Sequence, residues 1–175
     1  MADISAVFGI LLTLGIIFPG LLTAWWLLFP ATVERARLRL DRTPWLCLFI
    51  GGLVTAMLVI PITILLVIPN GAAKLAGWSL VAIVLTVASL GAAGLAAKMG
   101  DRLSRRSSSA YTPVGAFVRG AVALELAAAF PVIGWFIIIP LLTVVAIGAT
   151  AFALLRWVPR PAPQPISENT SISQA

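Results

Sequence analysis

Residues 45–68 read WLCLFIGGLVTAMLVIPITILLVI, without one charged side chain. A helix needs about 20 consecutive apolar residues to cross the hydrocarbon core of a bilayer. In lipid every backbone N–H and C=O must be bonded internally, so only helices and closed barrels span. A barrel strand would alternate apolar and polar residues, and this stretch does not. It reads as a membrane helix. Working outward, three more runs of the same kind follow, at 4–29, 78–97 and 132–155. A fifth, 114–130, is shorter and carries two charges, Arg119 and Glu125.

The composition agrees. Of the 175 residues 61% are hydrophobic and only 10% charged, with a mean hydropathy of +1.07, whereas a soluble domain carries about 25% charged residues. The N-terminus is Met-Ala-Asp, with no basic residue before the first apolar run. A signal peptide has a positive start and a shorter core, so 4–29 is expected to be a retained helix. The single cysteine, Cys47, rules out an intrachain disulfide and reads as a small buried or lipid-facing hydrophobe. The complete absence of histidine excludes His-ligated haem or chlorophyll, HExxH metalloprotease chemistry and Ser-His hydrolysis. No nucleophile–base pair, metal set or phosphate cradle stands out, so neither a catalytic residue nor a cofactor is expected. The net charge of +6 does not indicate nucleic acid, because the basic residues flank the spans, as membrane topology alone requires.

Those basic residues predict the topology. Arg35, Arg37, Arg39 and Arg42 lie between the first two runs, and Lys98, Arg102, Arg105 and Arg106 follow the third. The connection 69–77 has only Lys74. Basic connections favour the cytoplasmic side, which puts the N-terminus and Lys74 outside. Trp25, Trp26, Trp45, Trp78, Trp135 and Trp157 all fall near run boundaries, where indole prefers to sit. Residues 114–155 are too long for one crossing, and Pro131 and Gly134 offer a break. The expectation is an all-α bundle of four or five membrane helices, at about 4–29, 45–68, 78–97, 114–130 and 132–156. The fourth is short enough to be re-entrant. The bundle is N-out and C-in, a single domain over 1–158 with a disordered Pro/Ser-rich tail at 159–175.

Pro30 opens, and Thr43-Pro44 closes, a short segment in which Val33, Ala36 and Leu40 form a weak apolar face. Glu34, Arg37 and Asp41 permit local ion pairs within it. It reads either as an interfacial helix on anionic lipid or a partner's docking surface, or as a solvated basic loop. Arg102, Arg105 and Arg106 are a second set of lipid- or partner-facing basic residues. Pro19, Pro61 and Pro140 interrupt spans and are expected to kink them. Ala88, Gly91, Ala92 and Ala96, with Gly94, give the third run a small-residue face, and Ala116 and Gly120 repeat the pattern in the fourth. Such spacing lets helix backbones approach closely, within the chain or between copies.

Arg119 and Glu125 are the charges set deepest in apolar sequence, and intramembrane charges mark function by default. Arg119 lies near the start of its segment and can snorkel to headgroups. Glu125 lies about 9 Å further along the axis, six positions on, so the two do not face one another. Glu125 reads as a structural or subunit-interface carboxylate, or as part of a proton or cation path, with Thr86 or Thr143 as possible hydroxyl donors to it.

The order of short motifs is familiar: Leu-Phe-Pro-Ala-Thr-Val-Glu-Arg at 28–35, Arg-Thr-Pro-Trp at 42–45, Thr-Pro-Val-Gly at 112–115 and Phe-Pro-Val-Ile-Gly-Trp at 130–135. Over roughly 28–155 the chain resembles the multi-span membrane module associated with bactofilin-type polymer-forming cytoskeletal proteins of bacteria. The β-helical polymer-forming domain has no counterpart here. The resemblance implies an anchor at the bacterial inner membrane and brings no catalytic residues. The expected role is a non-enzymatic scaffold, anchor or accessory subunit that contacts anionic lipid through its basic connections and joins a protein partner or its own copies. A small transporter or channel component using Glu125 is the alternative.

Overall fold

The computed structural model describes residues 2–106, 112–130 and 132–155. Among these it is all helical, with six α-helices and no strand. They are α1 (Ala2–Leu28), α2 (Pro30–Arg42), α3 (Pro44–Val67), α4 (Gly71–Arg106), α5 (Pro113–Ala128) and α6 (Ile139–Leu154), the last entered through a π-helical segment, Gly134–Ile138.

Proline sets most of the boundaries. A residue before proline is driven out of the α region, and proline itself lacks the donor that would continue the ladder. Phe29 (φ −127°, ψ 54°) and Thr43 (φ −141°, ψ 64°) stand before Pro30 and Pro44, and each ends one helix while the proline opens the next. Thr112 (ψ 150°) precedes Pro113 and accepts a hydrogen bond from the Gly115 N–H at 3.2 Å, capping α5. At the α1–α2 elbow the axis turns by 106° between Gly15–Leu28 and Pro30–Arg42. Pro19 and Pro61 are carried inside α1 and α3. Pro140 cannot donate to the carbonyl four residues back, and the π-helical segment stands directly before it.

Three helices are long and apolar enough to cross a bilayer: Pro44–Val67, Gly71–Arg106, and Gly134–Leu154 with the π segment counted in. The bent α1–α2 pair brings the number to four if it is taken as one span. The expected short fourth element is α5, 16 residues, which reaches only about 24 Å. The third run differs most from expectation. No loop begins at residue 98; the helix continues unbroken to Arg106, because Lys-Met-Gly-Asp-Arg-Leu-Ser-Arg-Arg contains no proline and its one glycine, Gly100, is buried against the α5 backbone at Ala116 instead of ending the helix. The tail 159–175, Trp157 and Pro131 lie outside the described residues.

The core is made of small residues. Around α4 pack α1, α2, α3, α5 and α6. Ala88, Gly91, Ala92 and Ala96 are all buried on its inner faces. Two close approaches decide the geometry. A Cβ on Gly120 would overlap the Ala96 carbonyl, and one on Gly100 the Ala116 carbonyl, so α4 and α5 run antiparallel with backbones touching. Gly51 and Gly148 do the same for α3 and α6, against the Val144 and Cys47 carbonyls. Outside this core the surface is apolar: Trp45, Phe49, Met57, Ile60, Ile64 and Val67 of α3 are all more than half exposed. A soluble protein rarely bares so continuous an apolar face; hydrocarbon is the solvent that suits it. The chain is built as a membrane protein.

Candidate functional site

The polar chemistry gathers in one layer at an end of the bundle, where α2 lies across α4 and α6. The segment 30–42 is a helix rather than a solvated loop, and its weak apolar face is fully used. Val33, Ala36 and Leu40 are 1%, 1% and 2% exposed. Gly94 allows the approach, since a Cβ there would stand 2.8 Å from that of Ala36. Ala36 and Leu40 join Cys47, Ala149, Phe152 and Ala153 in one cluster; Val33 joins Leu22, Ala93, Ala96 and Phe117 in another.

Ionic contacts then clasp α2 in place. Leu40 lies four residues before Pro44, so no backbone N–H can reach its carbonyl in the usual way. The Lys98 ammonium supplies that bond instead, and also pairs with the Asp41 carboxylate at 3.1 Å. Lys98 is only 9% exposed, and the two contacts satisfy a charge that burial alone would penalise. One turn along, Arg37 bonds Glu34 at 2.6 and 2.8 Å and also bonds Asp101. The hydrogen bond to Glu34 raises the Arg37 pKa above its already high ordinary value, with the charges of Asp101 and Asp41 adding to the effect. A raised pKa stabilises below the unfolded value and is lost only as pH climbs through the folded one. This contribution is therefore constant at every pH short of strong alkali. On the other side of α2, Arg35 donates to the Ala153 carbonyl at 3.5 Å, in the last turn of α6, where a cation suits the helix dipole. The Arg39 guanidinium lies 4.5 Å over the Phe152 ring.

The basic residues expected to face lipid or a partner thus divide. Arg35, Arg37 and Arg39 are half-buried and turned to the protein. Arg42, Arg102, Arg105 and Arg106 are exposed. Asp101 is the participant the residue pattern did not single out; Asp41 was read only in ion pairs within its own segment and Lys98 only as a basic residue of a connection, whereas the two pair with each other. The signal available for them was the missing donor at Pro44 and the unbroken helical pattern past residue 98.

Arg119 is exposed, while Glu125 is half-buried on α5 against α1, where a Cβ at Gly15 would stand 3.4 Å from its Oε1. The hydroxyls considered as its donors turn elsewhere: Thr86 bonds the Ala82 carbonyl and Thr143 the Ile139 carbonyl, both at 2.8 Å within their own helices. Thr23, Thr63 and Ser79 also bond their own helices. Thr150, fully buried, shares its hydroxyl between the Ala146 carbonyl of its own helix at 3.0 Å and, across from α6, the Val87 carbonyl at 2.9 Å. Among the described residues no group of three or more His, Cys, Asp or Glu converges on one point. Compared with known proteins, the chain matches no family, no curated protein and no solved structure.

Proposed function

We propose that this chain is a non-enzymatic membrane anchor or accessory subunit that holds a partner at the bacterial inner membrane. The observation that carries this reading is the reach of α4. Its 36 residues extend about 54 Å, against a hydrocarbon core of about 30 Å. The surplus is stiffened by α2 through Lys98 and Asp101 and presents Arg102, Arg105 and Arg106 to solvent. A rigid basic prong beyond the headgroups suits attachment, and anionic lipid is its other natural contact. In this proposal α1 and α5 also cross, giving five crossings, with the N-terminus outside and the α2 layer on the cytoplasmic side. The bactofilin-type resemblance suggests a polymer-forming protein as the partner.

The test is purification in mild detergent without crosslinker. A stoichiometric partner that is lost when Arg102, Arg105 and Arg106 are all changed to Gln supports the anchor; a lone monomer from both proteins counts against it. One observation favours the transporter alternative, namely the half-buried Glu125 carboxylate set against Gly15 of α1, where an added Cβ would already touch Oε1 at 3.4 Å. Proton or cation flux in liposomes that disappears in Glu125→Gln would establish it.

A further inference from the structure

Glu125 follows Pro113, the first residue of α5, by about 18 Å along the helix axis. In the proposed orientation α5 starts at the headgroups, so the carboxylate lies past the middle of a hydrocarbon core of about 30 Å. It is half-buried against Gly15 of α1. Among the described residues no hydrogen bond or ion pair reaches its oxygens. Nor do the neighbouring helices bring a cation to that level. α5 packs on α4, α1 and the π-helical segment, and residues 15–28, 75–97 and 134–138 carry no charge of either sign. Arg119, on α5 itself, is about 9 Å nearer the headgroups and on another side of the helix. A charge at such depth is costly unless it meets a partner or water.

The surface beside the carboxylate suits a helix. Val118, Val122 and Leu126 are exposed on α5, four residues apart, so they form one apolar stripe along it. Glu125 follows Val122 by three positions and Val118 by seven, which sets it at the edge of that stripe. Ile16, next to Gly15 on α1, is exposed as well.

We infer that this α1–α5 face seats a membrane helix of a partner protein that carries one lysine or arginine at the depth of Glu125, the cation and the carboxylate pairing inside the bilayer. Charge selects the occupant. Lipid offers no cation at that depth. A second copy in the same orientation would bring a second carboxylate to the same level, and like charges there disfavour each other. A partner's intramembrane cation needs a counter-charge as much as this carboxylate does. The inference rests on the accessory-subunit reading and deepens it: the partner gains a contact within the membrane besides the α4 prong.

The test uses the full chain in mild detergent with a synthetic Leu/Ala membrane helix of about 24 residues bearing one central lysine, and with the same helix bearing leucine or glutamate there. Binding is read by fluorescence energy transfer. Wild type is expected to bind the lysine helix about tenfold more tightly than the leucine helix, within the range of an interhelical polar contact, and the glutamate helix least. Glu125→Gln should bind the lysine and leucine helices alike while melting as wild type does. Equal affinity of wild type for those two helices overturns the inference, as does a lysine preference that survives in Glu125→Gln. A dimer of the chain alone that Glu125→Gln dissociates also overturns it and makes this face an interface between copies. Proton or cation flux through the chain alone that Glu125→Gln abolishes overturns it too and assigns the carboxylate to a path. Failure of the subunit reading itself would appear separately, as a lone monomer in the purification described above.

Discussion

Lys98 does the work of an absent amide. Its ammonium bonds the Leu40 carbonyl that Pro44 leaves orphaned and at the same time neutralises Asp41. Hydrogen bonds to charged groups contribute about 1.5–3 kcal/mol each. Lys98→Met, which keeps the stem's volume but loses the charge, should lower stability by about 2 kcal/mol, read as a fall in melting temperature in detergent. Asp41→Asn should cost under about 1 kcal/mol, since that carboxylate is half-exposed and screened. Equal losses from the two variants would mean that the ion pair, and not the carbonyl bond, holds α2. Asp101→Asn should likewise cost little, because Arg37 keeps its contact with Glu34. At Glu125 the expectation is different in kind. Its carboxylate accepts no hydrogen bond from Thr86 or Thr143, so Glu125→Gln should leave the melting temperature of the isolated chain unchanged. A large drop would show the carboxylate to be structural.

The helices are held by close backbone approach more than by side-chain interlock. In lipid no hydrophobic force drives one helix against another, and packing must come from complementary small residues. Gly120→Leu would drive a side chain into the Ala96 carbonyl and the Gly100 backbone. It should therefore separate α4 from α5, at a cost of about 3 kcal/mol or loss of folded protein. Gly20, in α1, has nothing within 4 Å of the added carbon. Gly20→Ala should be neutral or stabilising by up to about 1 kcal/mol. Similar melting temperatures for these two variants would contradict the register of α4 and α5. The sequence alone marked Ala96, Ala116 and Gly120 as packing residues but left intrachain packing and self-association both open. Only the three-dimensional arrangement pairs Ala96 and Gly100 with Ala116 and Gly120 inside one chain. At the same scale, 30–42 carried its apolar face openly in Val33, Ala36 and Leu40. What it packs against could not be read, because Gly94, Ala149 and Phe152 lie on helices far along the chain.

For the whole molecule, the proposed orientation places Lys74 and the α2 layer on opposite sides of the membrane. In a Cys47→Ala background, Lys74→Cys is expected to react with an impermeant maleimide added to intact cells, and Arg106→Cys only after permeabilisation. Labelling with the reverse pattern would invert the topology and move the α4 prong outside. Both positions are exposed, so a failure to react would report sidedness and not burial.

What residue order determined by itself is the solvent and the element type. Uncharged runs of membrane length demand helices, because lipid offers no partner for a backbone amide. The prolines at 30, 44 and 113 demand that helices start there, because the residue before each is pushed out of the α region. These are local or one-dimensional constraints, and they are legible in a string. What only the tertiary structure decided is where the charges go. Lys98, Asp101, Arg35 and Arg37 look like residues of two basic connections. They become a clasp because the α1–α2 elbow turns 106° and lays α2 across α4 and α6. Their partners are 58, 64 and 118 positions apart. No periodicity connects residues at such separations; only the close packing of glycine and alanine faces brings them within a hydrogen bond of each other.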